Sequence, residues 1–245
     1  MTKSLTTADM ERMFEEVKNW CKWGSDDERG ALNYISSDKR ARAAALVQDG
    51  ESVSCGLEFP TRPAPDNPNP AQHMMVVAGD ACTETGVPGM ESAMDYIGVA
   101  FHGMAVSHID ALCHVFVKEK MYNGFDASDV KSTGARKNSI MAGKDGIAGR
   151  GVLLDVPRYR GVEYLDINEQ ISAEELDAVA EAERVEIEEG DLLLVATGRD
   201  ARRREKGSWS PREGLAGLNG HCVPWLHQKR VAVLGSDGIS DAIPS

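Results

Sequence analysis

The first periodic signal along the chain lies at residues 10–17, where Met10, Met13, Phe14 and Val17 recur at helical spacing. Thr6 or Thr7 supplies a side-chain oxygen to cap the first turn. This apolar stripe, extended by Trp20 and Trp23, reads as core or subunit contact. Ser37 and Asp38 open a second helix through Ala41 to Val47, which Asp49-Gly50 ends. Residues 52–59 read as a strand. Residues 60–70, Pro-Thr-Arg-Pro-Ala-Pro-Asp-Asn-Pro-Asn-Pro, can form neither a helix nor a central strand. They read as a loop, either shaping access to a site or simply connecting elements. Residues 80–92, rich in Gly, Pro and Thr, read as a second loop. Further along, 149–155 and 190–198 carry apolar runs, and Ser172 stands three residues before Glu175 as a capping box for a helix ending near Arg184. A helix between two apolar strands signals a β–α–β unit. A third apolar run, 231–236, ends at Asp237. No internal repeat is visible.

Composition narrows the possibilities. A chain of 245 residues makes one domain with a sizeable core or two small ones. The formal net charge of −12 argues against non-specific binding to nucleic acid or an anionic membrane. No stretch is apolar for long enough to span a bilayer. The amino terminus has no apolar core of the secretory type. Five cysteines (21, 55, 82, 113 and 222), odd in number, scattered and without a C-x-x-C, fit a reduced cytoplasm better than a disulfide framework.

Candidate chemistry concentrates in Phe101-His-Gly-Met-Ala-Val-Ser-His-Ile-Asp-Ala-Leu-Cys-His114, which holds three of the six histidines. In an extended segment alternate side chains share a face, and His102, His108, Asp110 and His114 all occupy even positions. His108 and Asp110 would stand about 6.6 Å apart along a strand, close enough to converge on one ion. His102 would lie about 20 Å from His108 on a straight strand, so it joins only if the chain turns at Gly103. In a helix Asp110 and His114 would align while His108 faced away, so the clustering favours an extended segment or loop. Imidazole nitrogens with a carboxylate oxygen are ligands for zinc or manganese at a site keeping a position open for water. Cys113 beside His114 makes a poor thiol–base pair, because neighbours on a strand face opposite ways. No Gly-x-Ser-x-Gly elbow, phosphate loop or dinucleotide fingerprint is present.

His108-Ile-Asp110-Ala-Leu-Cys-His114 resembles the core of the His-x-Gly-Thr-x-x-Asp-x-x-x-His signature of the cyclase-like metal hydrolases, a family that includes bacterial kynurenine formamidase and isatin hydrolase. The resemblance covers most of the chain: Trp23 to Asn33, 149–155, 190–198, and 231–241 with its Gly-x-Asp-x-x-Ser-x-Asp segment ending in Asp237, Ser240 and Asp241. It implies an α/β fold of the swivelling β/α/β type, with a central mixed sheet and flanking helices, over a single domain spanning 1–245. It also implies hydrolysis of a C–N amide bond, with N-formyl-kynurenine as the first substrate and a cyclic amide such as isatin as the second. The ion is expected on His108 and Asp110, with His102 as a third ligand. The resemblance makes His114 the catalytic histidine. A homodimer or homotetramer is expected, with a small amide as the partner of the site.

Two departures from the family pattern stand out. The family's first ligand histidine falls at Met104, a poor ligand for these metals, and His102 two residues earlier is the candidate substitute. The chain also stops at Ser245, short of a carboxy-terminal region that supplies further site residues in the family. A fragment or a shortened homologue, acting only in binding or assembly, is therefore the competing expectation. Three other features carry two readings each. The basic segment 198–213 is either a flap whose arginine binds a substrate carboxylate or a solvated charged segment. Met121-Tyr-Asn-Gly-Phe125 either overhangs the metal with two aromatics or packs ordinarily. Asp237, Ser240 and Asp241 belong to a site or brace a loop, while His221 and His227 are either substitute ligands or structural.

Overall fold

The computed structural model describes residues 5–81 and 85–243; Cys82 lies outside them. Helix α1 (Thr7–Val17) begins at Thr6, whose hydroxyl and backbone exchange a reciprocal capping box with Asp9. Its apolar stripe faces largely outward, with Met10 60% exposed, so it is not core. Helix α2 (Ser37–Ala44) is capped by Ser36 and ends three residues before Val47. Residues 52–59 form no strand. Among the described residues no strand pairs with this segment, and Val53 and Leu57 stand in solvent.

An antiparallel hairpin follows, β1 (Gln72–Val77) with β2 (Met94–Gly98), and then a short pair, β3 (Val130–Lys131) with β4 (Gly134–Ala135). The centre of the molecule is built from β5 (Gly151–Asp155), α3 (Val156–Arg160), β6 (Gln170–Ile171), α4 (Ala173–Glu183), β7 (Leu192–Ala196), α5 (Arg199–Lys206), β8 (Gly217–Leu218), α6 (Cys222–Lys229) and β9 (Val233–Ser236). The strands β5, β7 and β9 form a sheet in that order, parallel throughout. β6 pairs β8, also in parallel. The fold is thus the expected α/β, with antiparallel pairing in separate hairpins and in isolated bridges such as that between Leu215 and Ile243.

The β–α–β reading holds in detail. Ser172 caps α4 by accepting from the Glu175 N–H. Glu175 does not return the bond to Ser172; its carboxylate takes the Arg160 guanidinium at 2.7 and 2.8 Å instead. Period-two burial puts Val152, Leu154, Leu193 and Val195 on the inner face of the sheet, against Leu176 and Val179 of α4 and Trp225 of α6. Each such buried aliphatic side chain contributes roughly 1.5–3 kcal/mol. Asp191, fully buried at the start of β7, binds Arg150 at 2.6 Å and Lys39 of α2 at 2.7 Å, fastening the amino-terminal region to the sheet.

Asp237, at the end of β9, accepts from the Thr197 N–H and hydroxyl and from the Arg199 N–H, at 2.9, 2.7 and 2.9 Å. Its role is bracing: it ties the end of β9 to the turn that launches α5.

Candidate metal centre

Residues 101–114 are irregular backbone, neither strand nor helix. The chain doubles back at Gly103, whose φ of +125° is open to glycine and costly for other residues. That turn returns His102 to the residues downstream. Its Nδ1 lies 2.9 Å from Asp110 Oδ1, and His108 Nε2 lies 3.6 Å from the same oxygen. Donor atoms of His102, His108 and Asp110 all fall within 4.8 Å of one another. Two ligands about 2.1 Å from a tetrahedral ion stand about 3.4 Å apart, so this spacing needs only small adjustments to close on a cation.

The His108 ring carries a further sign of fitness for a metal. Its Nδ1 lies 2.8 Å from the Val106 carbonyl oxygen. A carbonyl only accepts, so Nδ1 carries the hydrogen. In the neutral ring Nε2 is then the unprotonated nitrogen, 3.6 Å from Asp110 Oδ1. A histidine oriented by a backbone carbonyl in this way is the usual outer support of a metal ligand. The donor set of two imidazoles and one carboxylate therefore fits zinc or manganese.

His114 is placed differently. Its ring stacks on His102, with centroids 4.5 Å apart and planes 5° from parallel. Its Nε2 lies 3.9 Å from Asp110 Oδ2, the oxygen that the other two rings do not share. Phe101 closes the apolar side of the cluster, 4.7 Å from the His102 ring. Met104, at the family's ligand position, has its methyl beside Gly238, 3.3 Å from where a Cβ would stand there.

The amino-terminal segment supports this loop from below. Gly30 passes so close that a Cβ there would stand 2.9 Å from Leu112 Cδ1. Asp27 accepts from Tyr122 Oη at 2.8 Å, and Asn138 donates to the Tyr122 carbonyl. Tyr122 and Phe125 are thus ordinary packing, the latter beneath Lys137. His221 and His227 sit at the start and in the body of α6, outside the cluster.

Beside His102 opens a cavity of about 430 Å³, lined by Asp66, Asn67, Phe101, His102, Met104 and Arg212 among others. Its floor comes from the proline-rich loop. Asp66, almost wholly buried, accepts from Arg199 at 2.8 Å and from Arg203 at 2.7 and 3.3 Å. Burial pushes the Asp66 carboxyl up, but the two guanidiniums outweigh it and hold it below the ordinary carboxylate range. Nothing in the sequence reading singled out Asp66. The available signal was a lone acid inside a proline run, with arginines far along the chain to meet it.

A parallel α/β core with a histidine–aspartate cluster whose His102 lines an open cavity defines a class of protein with a candidate divalent-metal centre. The chain belongs to the family described as "Putative cyclase", whose model matches residues 54–241. It is similar to a solved crystal structure described as a novel cyclase, with 28% identity and a TM-score of 0.79, covering 90% of this chain and 76% of that one. No curated protein matches it.

Proposed function

We propose that the chain is a metal-dependent amidohydrolase that cleaves the C–N bond of a small aromatic or cyclic amide, an arylformamidase in its leading form. The observation that supports this is the convergence of three imidazoles on one carboxylate beside a cavity, in a chain of the cyclase family. In this reading His102, His108 and Asp110 hold zinc or manganese. Such an ion, when bound, polarises an amide carbonyl and brings the pKa of water toward neutrality. His114, facing the free carboxylate oxygen, is the proton carrier: as the C–N bond breaks, the hydroxyl stays on the carbonyl carbon and the proton ends on the leaving nitrogen. Phe101 and the loop of Asp66 and Asn67 hold the substrate body. N-formyl-kynurenine is the first substrate, isatin the second. We place the protein in a reducing cytoplasm as a homodimer or homotetramer; the described cysteines are free, and no helix among the described residues is long and apolar enough to cross a membrane.

Metal content and turnover test this together. The expected result is a stoichiometric zinc or manganese ion that a chelator removes along with formamidase activity. A second reading, a binding or assembly protein without turnover, is favoured by Met104 in the ligand position and by the half-exposed His102 and Asp110 side chains. Protein that stays metal-free after supplementation with both ions supports that reading and sinks the first.

A further inference from the structure

The segment 198–213 carries five arginines, and the structure disposes of four. Arg199 and Arg203 are spent on Asp66, Arg202 on Asp166 at 2.8 Å, and Arg204 on Asp200 within the same helix. Among the described residues, Arg212 makes no ion pair, and this exposed residue is one of those lining the cavity beside His102.

The turn that presents Arg212 is built, not loose. Trp209 is buried and its indole N–H donates to the Gly214 carbonyl at 3.0 Å. Ser210 and Glu213 close a reciprocal capping box over Pro211–Glu213. The Glu213 carboxylate, the nearest anion in sequence, is thereby turned onto the Ser210 N–H at 2.9 Å and away from pairing with Arg212. Arg212 itself donates its N–H to Ser210 Oγ at 3.3 Å, which fixes its backbone.

Charge points the same way. Among the described residues, the only acid lining the cavity is Asp66, which already faces two guanidiniums. Arg212 therefore leaves the lining with an uncompensated positive charge, in a chain whose formal net charge is −12. A guanidinium prepared in this way suits a planar anion, which it binds through paired hydrogen bonds.

From this we infer that Arg212 determines specificity by binding a carboxylate on the substrate, so that the preferred substrates are amides carrying an anionic group away from the scissile bond. The inference rests on the amidohydrolase reading for its substrate class, but the anion site can be read separately.

Steady-state kinetics of the metal-loaded protein should be compared on 2-formamidobenzoate and on formanilide, its neutral counterpart. Arg212→Ala should raise KM for the carboxylate substrate roughly 10- to 100-fold, the usual weight of a hydrogen bond to a charged group. Its kcat and KM for formanilide should stay unchanged, and Arg212→Lys should recover part of the loss. An unchanged KM for 2-formamidobenzoate in Arg212→Ala, or equal damage on both substrates, overturns the inference. In parallel, 2-aminobenzoate is titrated calorimetrically into both proteins, with at least tenfold weaker binding expected in Arg212→Ala. Cleavage of neither amide by the wild type, with this binding difference intact, sinks the amidase reading alone. Binding that is absent in the wild type, or equal in the two proteins, sinks the anion site.

Discussion

At the scale of the residue, Gly103 decides whether His102 belongs to the site. No heavy atom lies within 4 Å of where its Cβ would stand, so alanine there meets no clash, only an unfavourable φ of +125°. Such a conformation costs a residue with a Cβ about 1–3 kcal/mol. Gly103→Ala should therefore weaken zinc binding roughly tenfold in a competition titration, as the turn relaxes away from the φ that brings His102 to Asp110. Equal zinc affinity in the two proteins would remove His102 from the ligand set. His114→Ala should behave oppositely, keeping the metal and losing turnover by roughly 10²–10⁴-fold. Loss of the ion in that variant, seen by elemental analysis, would reverse the division between ligands and proton carrier. The pairing of His108 with Asp110 was legible from their spacing alone. The recruitment of His102 was not, because the hydrophobic pattern carries no record of one glycine's φ, and a straight chain would have put that ring about 20 Å away.

At the scale of the element, the proline-rich loop and α5 act as one unit through Asp66. Prolines told that 60–70 is a loop. They did not tell that its acid is buried, since the Arg199 and Arg203 partners lie more than 130 residues further on. The carboxy-terminal end of α2 and the absent strand at 52–59 were not legible for a related reason: local propensity cannot report whether a partner is present to pair with. The β–α–β core was legible because its periodicity and caps are local. Removing Asp66 strands Arg199, whose side chain is only 10% exposed, so Asp66→Ala should cost about 3 kcal/mol in denaturant unfolding. Arg203 is 40% exposed and adds little to that figure. The pH dependence follows from sign. Asp66 is held below the ordinary range by Arg203 and Arg199 against the effect of burial, and Asp191 by Arg150 and Lys39 likewise. A carboxylate whose folded pKa lies below its unfolded value of about 3.9 stabilises fully above that value and loses the contribution as pH falls from there through the lowered folded pKa. Unfolding midpoints should thus fall progressively as pH drops below about 5 in the wild type, and fall less steeply in Asp66→Ala. Parallel pH curves for the two proteins would count against the clamp.

At the scale of the whole molecule, the surfaces left open say what assembly should look like. Parallel sheets are ordinarily covered on both faces. Here α4 and α6 cover one face, while Leu153 and Leu194 on the other are 55% and 43% exposed. The β1–β2 hairpin is barer still: Met74, Met75, Val76, Met94, Tyr96 and Ile97 are each about half exposed or more, on both faces of the ribbon. A two-stranded ribbon is marginal in water by itself and needs apolar cover. A second copy of the chain would supply it, and this is what the proposed homodimer rests on. Such an interface should bury on the order of 1,200–2,000 Å². Because the hairpin leads within a few residues to Phe101 and His102, dimerisation would also narrow solvent access to the histidine–aspartate cluster, whose donors are open in a single chain. Light scattering on eluted protein should give twice the chain mass of 26.5 kDa, or four times it for a tetramer. The double variant Met75→Asp, Tyr96→Asp should shift that mass to one chain, and it should lower turnover in proportion to the fraction dissociated. A wild-type mass of one chain at micromolar concentration, with full metal and full activity, would show that the open faces need no second copy.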